Sequence, residues 1–264
     1  MRIRVAVVVG LLLASRTVTA AAQGTGDQAR LVFSISGAFI GSKGLWSVPD
    51  QRVAIDEFPT HLAISRSTTS TFGASLGSTY YPKGAWGLTA EAFLLGLGYD
   101  DACRVTGPGE VSLRVMEVCE DITQQEKSAA AASLAVGTVL RLASRDFISP
   151  FLRAGVGVLF TNQSSILTQG VSISNGGALL IIYDDDARSR VRPTFQLGVG
   201  ATMVLSRGYH LRWEVRDNIV GVEEITSSVQ NIGSIPPHET NLEHVWSVQI
   251  GLDVILERQR GRRY

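Results

Sequence analysis

The stretch at 191–216 alternates between apolar and polar residues with a period of two, and its polar face carries charge. In the first half, the apolar or small positions are Val191, Pro193, Phe195, Leu197, Val199, Ala201, Met203 and Leu205. After a turn at 206–208, Leu211, Trp213 and Val215 share one face, and His210, Arg212, Glu214 and Arg216 share the other. A period of two is typical of β-strands. Charges at successive positions of one face indicate an enclosed polar network, because a buried charge needs a partner. The stretch predicts a hairpin of a membrane barrel with its apolar face outside. A soluble sheet with a solvated polar face is the alternative.

The N-terminus has the three parts of a secretory signal peptide. A basic start at 1–4 is followed by an apolar run at 5–14 and by small residues that end at Ala22. We predict cleavage after Ala22, which leaves one domain at 23–264. The apolar run is too short to span a bilayer as a helix, and no later segment offers about 18 consecutive apolar residues. Any membrane crossing by the mature chain therefore has to use strands.

Charge and cysteine content narrow the possible partners and cofactors. The chain holds 24 basic and 24 acidic residues, a balance that argues against a nucleic-acid partner. The two cysteines, Cys103 and Cys119, favour a disulfide in an exported chain, since two thiols without a nearby histidine make a poor zinc site. The Gly-x-Gly patterns at 96–98 and 198–200 reflect strand spacing rather than nucleotide binding. We expect no metal and no cofactor.

Eight segments of the mature chain show strand-like alternation. They lie near 31–40, 68–81, 86–97, 129–142, 147–160, 191–205, 210–218 and 246–256. Phe93, Leu95 and Leu97 interrupt the alternation of the third segment. The connections at 41–66, at 98–127 around the cysteines, at 161–190 and at 219–245 are read as long loops, and the one around the cysteines is acidic and irregular.

Short turns alternate with these long loops. The turns begin at Pro82, Ser144 and Ser206, about 62 residues apart, so the chain is a series of long hairpins. Short periplasmic turns and long external loops are typical of outer-membrane barrels. The sequence predicts an all-β fold, an eight-stranded antiparallel up-and-down transmembrane β-barrel. Its termini lie on the periplasmic side, and no strand edge is left unpaired in lipid.

The chain resembles the small eight-stranded outer-membrane barrels typified by the outer membrane protein A transmembrane domain. Strand phrases at 151–158 and 211–216 carry the resemblance, together with the order of turns and loops. It implies a bacterial outer-membrane location, contact with outer-membrane lipid and lipopolysaccharide, insertion by the barrel-assembly machinery and a monomeric state. It also implies a structural or surface-interaction role, through external loops whose ligand is unknown. One departure is that such proteins usually end on an aromatic residue of the last strand, whereas 257–263 precede Tyr264 here.

Inward polar side chains are expected to fill the lumen. An eight-stranded barrel is just wide enough to be packed with side chains. The predicted lumen network comprises Glu91, Arg153, Gln196, Arg212, Glu214, Arg216, Gln249 and Asp253. We interpret it as a plug rather than a catalytic set, and therefore expect no enzyme.

Two other classes of barrel remain open. A lipid-modifying enzyme similar to lipid A deacylase or palmitoyltransferase would need a serine and a histidine near the lipid-facing rim. The histidines are His61, His210, His238 and His244, and the spacing of His244 and Ser247 puts these two on opposite faces of a strand. A barrel that binds a small solute or ligand, as lipocalins do, would need an apolar interior with Trp213 inside.

Overall fold

The computed structural model describes residues 30–55, 58–107, 111–124, 126–142, 147–161, 164–174, 176–185, 190–206 and 208–257. The predicted signal peptide, the turn at 144–146 and Tyr264 lie outside these residues. The elements are β1 Arg30–Ile40, β2 Lys43–Ile55, β3 Phe58–Thr68, β4 Thr71–Lys83, β5 Trp86–Val105, α1 Leu113–Gln124, β6 Glu126–Arg141, β7 Ile148–Thr161, β8 Thr168–Ser172, β9 Ala178–Tyr183, β10 Arg190–Ser206, β11 Tyr209–Ile225 and β12 His238–Glu257.

Eight of these strands form a closed antiparallel barrel. Around the ring the order is β1, β4, β5, β6, β7, β10, β11 and β12, and β12 pairs with β1 to close it. The predicted eight-stranded fold is confirmed. Apart from the closure between β12 and β1, each barrel strand pairs with the next barrel strand along the chain, as expected for an up-and-down meander.

The barrel wall is apolar outside and polar inside. On β11, Trp213 is 51% exposed, whereas the neighbouring Glu214 is 1% exposed. On β12, Val248, Ile250 and Leu252 face outward, while their neighbours Gln249 and Asp253 are buried. This is the inverse of a soluble barrel and the arrangement of a barrel that crosses lipid. Separately, no helix of the described residues is long and apolar enough to cross a membrane.

The interrupted alternation of β5 has a packing explanation. Phe93 is 2% exposed and packs inside the barrel with Ala38 and Ile40, and Leu95 adds to the same cluster. These apolar side chains form a layer inside the barrel near its long-loop end. The strand also runs further than predicted, to Val105 instead of 97.

Three of the four connections that the sequence predicts as long loops contain regular structure, including the one around the cysteines, for which the prediction of an irregular loop is wrong. The polar segment at 41–66 contains the β2–β3 hairpin. β3 continues the sheet by pairing with residues 99–105 of β5. The connection around the cysteines contains α1, and the connection at 161–190 contains the β8–β9 hairpin. β11 reaches Ile225 and β12 begins at His238, so both extend beyond the predicted strands.

These elements build an external cap, which we define as β2, β3, α1, β8, β9, the segments 164–167 and 226–237, and residues 173–174 and 176–177 between β8 and β9. Two register shifts in β2, between Gly44 and Trp46 and between Val48 and Gln51, interrupt the two-residue period that would reveal a strand. The cap has an apolar core to which the barrel rim contributes, consisting of Leu45, Trp46, Val48, Val53, Leu62, Ile64, Tyr99, Val115, Val118, Cys119, Ile122, Ile166, Leu180, Ile182, Tyr183, Val222, Ile225 and Val229. The long connections therefore bury a core of their own.

Arginine substitution distinguishes exposed apolar residues that face lipid from those that face water. Ile250 is 62% exposed on the barrel wall, and Ile173 is 80% exposed on the cap. We expect Ile250→Arg to lower the free energy of unfolding by about 2–4 kcal/mol near the bilayer middle. The matched Ile173→Arg should change it by less than about 0.5 kcal/mol, because that side chain meets water. Urea unfolding in lipid vesicles measures both values, and equal effects would contradict the lipid-facing assignment.

Candidate functional site: the ionic plug and the external cap

An ionic cluster crosses the lumen, and we call it the plug: Glu91, Arg153, Arg212, Glu214, Arg216 and Asp253. Strand alternation on β5, β7, β11 and β12 turns all of these side chains inward. Arg153 pairs with Glu91, Arg212 pairs with Glu214, and Arg216 pairs with Glu91. Arg216 Nε also donates to Glu214 Oε1 at 3.0 Å, and Arg153 Nε lies 3.7 Å from the same oxygen. Each glutamate is thus shared by at least two arginines.

Asp253 completes the charge balance of the plug. One of its carboxylate oxygens lies 3.9 Å from Arg212 Nη1. Arg212 also donates to Ser34 Oγ at 3.3 Å and lies 5.0 Å from the centre of the Phe151 ring. Three arginines therefore meet three carboxylates, and every one of these side chains is at most 6% exposed. Such a balance offsets the large cost of taking ions out of water.

The structure brings six of the eight predicted lumen residues together and leaves the two glutamines beside them. Gln196 and Gln249 are 3% and 2% exposed, but neither joins an ion pair. Gln249 lies opposite Glu214 in the strand register, and its amide has no hydrogen-bond partner among the described residues. The sequence reasoning missed Thr89, whose hydroxyl accepts from Arg153 Nη2 at 3.5 Å. Because threonine is common on strands, no sequence signal marked it.

Apolar layers lie on both sides of the plug. Val32, Tyr81 and Val139 pack together towards the short-turn end, and Ala38, Ile40 and Phe93 pack towards the long-loop end. A cavity of about 60 Å³ remains under the cap, lined among others by Leu45, Tyr99, Arg192 and Asn218. Drug-sized ligand pockets measure roughly 300–1,000 Å³. The cavity is therefore too small for such a ligand.

Arg66 holds the centre of the external cap together. Its Nε and Nη2 bind the two carboxylate oxygens of Asp101 at 2.5 and 2.6 Å, and Nη2 also donates to Leu167 O at 2.7 Å. The guanidinium lies 5.4 Å from the ring centre of Trp46 and 5.5 Å from that of Tyr99. Both partners of the pair are fully buried. This bidentate contact joins β3, β5 and the segment before β8.

Gln51 performs a similar role between β2 and the connection to β12. Its Nε2 donates to Val229 O and its Oε1 accepts from Val229 N, both at 2.9 Å. The same oxygen accepts from the Tyr183 hydroxyl at 3.1 Å. Burial raises the pKa of Tyr183, so the hydroxyl stays protonated and able to donate. The second register shift of β2 occurs at Gln51, which is fully buried.

The predicted disulfide between Cys103 and Cys119 is confirmed, with a Cα–Cα distance of 5.2 Å. It does not close an irregular loop as expected, because it joins strand β5 to helix α1. Thr123 reinforces the link, since its hydroxyl accepts from Cys103 N at 3.1 Å and donates to Cys119 O at 3.0 Å. In the chain-entropy model a loop of this size contributes roughly 3 kcal/mol, which acts within the cap.

Two carboxylates of α1 cover the edge of the β8–β9 hairpin. Asp121 Oδ2 accepts from Val171 N at 2.8 Å, and Glu117 Oε2 accepts from Ser174 N at 3.0 Å. The hydroxyls of Ser172 and Ser174 also donate to Glu117. These hydrogen bonds, the backbone one from Ser174 foremost, lower the pKa of Glu117. An uncovered edge would present its amides for pairing with another chain.

Among the residues that the structure describes, no histidine makes the hydrogen bond to a serine that a hydrolase would need. His244 Nδ1 lies 2.6 Å from Asp217 Oδ2 and His61 Nδ1 lies 2.5 Å from Asp50 Oδ1. Ser247 is 1% exposed in the lumen, whereas His244 faces outward. The other two histidines are placed differently, His210 opposite Asp253 on the strand register and His238 against Pro236 O. In the described part of the chain, no group of three or more possible ligands could hold a metal ion.

The lipocalin-like alternative is contradicted by the orientation of β11. That alternative requires Trp213 inside, but Trp213 is half exposed, while Arg212, Glu214 and Arg216 are buried in the lumen.

Comparison with known proteins gives similar architectures at low identity. The chain is similar to Neisserial surface protein A (9% identity, TM-score 0.43, covering 87% of this chain and 99% of that one). It is also similar to Ail, the attachment invasion locus protein of Yersinia pestis (12%, TM-score 0.42, 87% and 99%), and to OprG from Pseudomonas aeruginosa (10%, TM-score 0.44, 88% and 98%). No protein-family profile and no curated protein sequence matches the chain. The fold assignment therefore rests on the strand pairing of this chain itself.

The carboxylates of α1 predict a local response to acid. Because the pKa of Glu117 is lowered in the folded cap, its contribution is present above the ordinary carboxyl pKa and is lost as pH falls through the lowered value. We expect the Ser174 amide to exchange hydrogen faster as pH decreases through that range, relative to its intrinsic rate. Amide exchange followed by NMR measures this, with Glu117→Gln as the variant that should remove the pH dependence. A response that persists in Glu117→Gln would contradict the assignment.

Proposed function

We propose that this protein is a monomeric bacterial outer-membrane barrel with a closed lumen, which acts at the cell surface through its external cap. The observation that carries the proposal is the charge-balanced plug between two apolar layers. A lumen filled in this way supports a structural or surface-interaction role better than solute passage, because any solute would have to displace paired buried ions.

Exposed aromatic side chains at both ends of the barrel wall support a membrane position between the turns and the cap. Trp86 and Tyr209 lie next to the short turns, and Tyr80 lies close by on β4. At the other end, Phe39 and Phe72 meet edge to face with ring centres 5.5 Å apart. Aromatic girdles at both interfaces are typical of outer-membrane barrels. Between them the wall would contact lipid, with lipopolysaccharide at the capped end, after insertion by the barrel-assembly machinery.

The external cap supplies an ordered surface for a partner. Its buried Arg66–Asp101 pair and its disulfide fix the positions of β3, β5 and α1. The cap also exposes large apolar side chains outside the lipid-facing wall: Leu113, Met116, Ile173 and Leu179. Exposed apolar groups on a rigid support are common in interaction surfaces.

A planar-bilayer measurement tests the closed lumen. The mature chain, refolded and checked for different gel migration before and after boiling, should show no steady ion conductance. Glu214→Gln removes a charge shared by three arginines and should give measurable channel openings. Glu117→Gln, which changes a carboxylate on the cap, should behave as the unaltered protein. A steady open channel in the unaltered protein would overturn the proposal.

A further inference from the structure

The barrel seam between the first and last strands opens towards the cap. β12 pairs with β1 from Glu257 to Ser247, and Gly41 N donates to Trp246 O at 3.2 Å. Beyond this point β12 continues to His238 with β11 on one side. β2, which follows β1 in the chain, does not pair with β12. It pairs with β3 instead, and its Gln51 side chain donates to Val229 O. Among the described strands, residues 239–245 of β12 therefore have one unpaired edge, with the Lys43–Glu243 ion pair at its base.

The backbone groups that face this edge can be identified from the hydrogen bonds. Trp246 O points to the β1 side because it accepts from Gly41 N, and Pro237 O points to the β11 side because it accepts from Thr226 N. The register between β11 and β12 has no shift, so the direction alternates along the strand. Thr240, Leu242 and His244 therefore present their N–H and C=O groups to the open edge.

The two faces of this edge differ in chemistry. Leu242 is 58% exposed on the face that continues the outer wall. The other face carries Glu239 and Glu243, and Glu239 lies directly opposite Glu224 in the register. Like charges directly opposite one another are unfavourable. A cation beside Glu239 would relieve this repulsion.

We propose that the open edge of β12 at 239–245 binds an extended polypeptide segment of a partner protein. The segment would pair antiparallel with β12 and would run in the same direction as β1, which pairs with residues 247–257 of β12. Its alternate side chains would be apolar on the Leu242 face and basic beside Glu239, since Glu243 already pairs with Lys43. Strand addition of this kind takes affinity from main-chain hydrogen bonds and specificity from alternate side chains. The proposal rests on the external position of this end of the barrel.

A peptide of about seven alternating lysine and valine residues, matched to the length of the open edge, is the probe. Fluorescence anisotropy with the refolded protein in uncharged detergent should show saturable binding. The same peptide with methyl groups on alternate backbone nitrogens keeps its charge but cannot complete the ladder. We expect it to bind at least about tenfold more weakly, a ratio that corresponds to about 1.4 kcal/mol, because it loses several main-chain hydrogen bonds at once. Absence of binding by the first peptide, or equal binding by both, would overturn the proposal.

Substitutions at Leu242 provide the matched protein variants. Proline there removes an N–H that faces the open edge and leaves the ladder to β11 complete. Leu242→Pro should lose peptide binding, whereas Leu242→Ala should keep it within a few-fold. Gel migration before and after boiling checks the fold of each variant, and if Leu242→Pro does not fold, the methylated peptide decides alone.

Two further measurements separate this proposal from its alternatives. Glu239→Gln should weaken binding and reduce its salt dependence. Sedimentation of the unaltered protein without peptide should give a monomer. A dimer that Leu242→Pro dissociates would show that a second copy occupies the edge and would overturn the proposal. The conductance test of the closed lumen does not involve this edge, so either proposal can fail alone.

Discussion

The structure depends on pairing six charges inside a barrel too narrow to hydrate them. Glu91 on β5 must meet Arg153 on β7 and Arg216 on β11. These three strands are distant in sequence, so the register of every strand pair between them has to be correct. A slip of one residue in any of them would turn a charged side chain towards lipid and an apolar one into the lumen. The ionic contacts therefore also specify which register the barrel adopts. Gly198 shows how closely this is packed, since a Cβ there would overlap the Glu214 carboxylate.

The alternation in the sequence predicted the parts of the fold that local geometry determines. Trp213 outside and Glu214 inside follow from a period of two, and the eight strands follow from its repetition. The alternation did not predict which charges pair inside the plug. The contact between Glu91 and Arg216 depends on the register of every strand pair between β5 and β11. The six charges could be assigned to the lumen from sequence, but their pairing could not.

The sequence did not predict the cap, and the reasons can be identified. Its strands β2 and β3 lie in a polar segment, and register shifts at Trp46 and Gln51 break the alternation. Helix α1 buries Val115, Val118 and Ile122 at helical spacing, but its acidic composition resembles that of a loop. In the sequence, Arg66 is only the last residue of the polar segment 41–66, although it is the buried centre of the cap. The plug fills the lumen and the ordered cap lies above it, and both features support the proposed function at the outer surface.

A double-mutant cycle on Glu91 and Arg216 tests most directly whether the plug is one coupled unit. Glu91→Gln, Arg216→Met and the double variant would be compared by unfolding in lipid vesicles. Each single variant leaves the buried plug with one unbalanced charge, whereas the double variant keeps two arginines and two carboxylates. We therefore expect the double variant to lose much less stability than the two losses added together. The predicted coupling is about 2 kcal/mol or more. Additive losses, with a coupling below about 0.5 kcal/mol, would contradict the account.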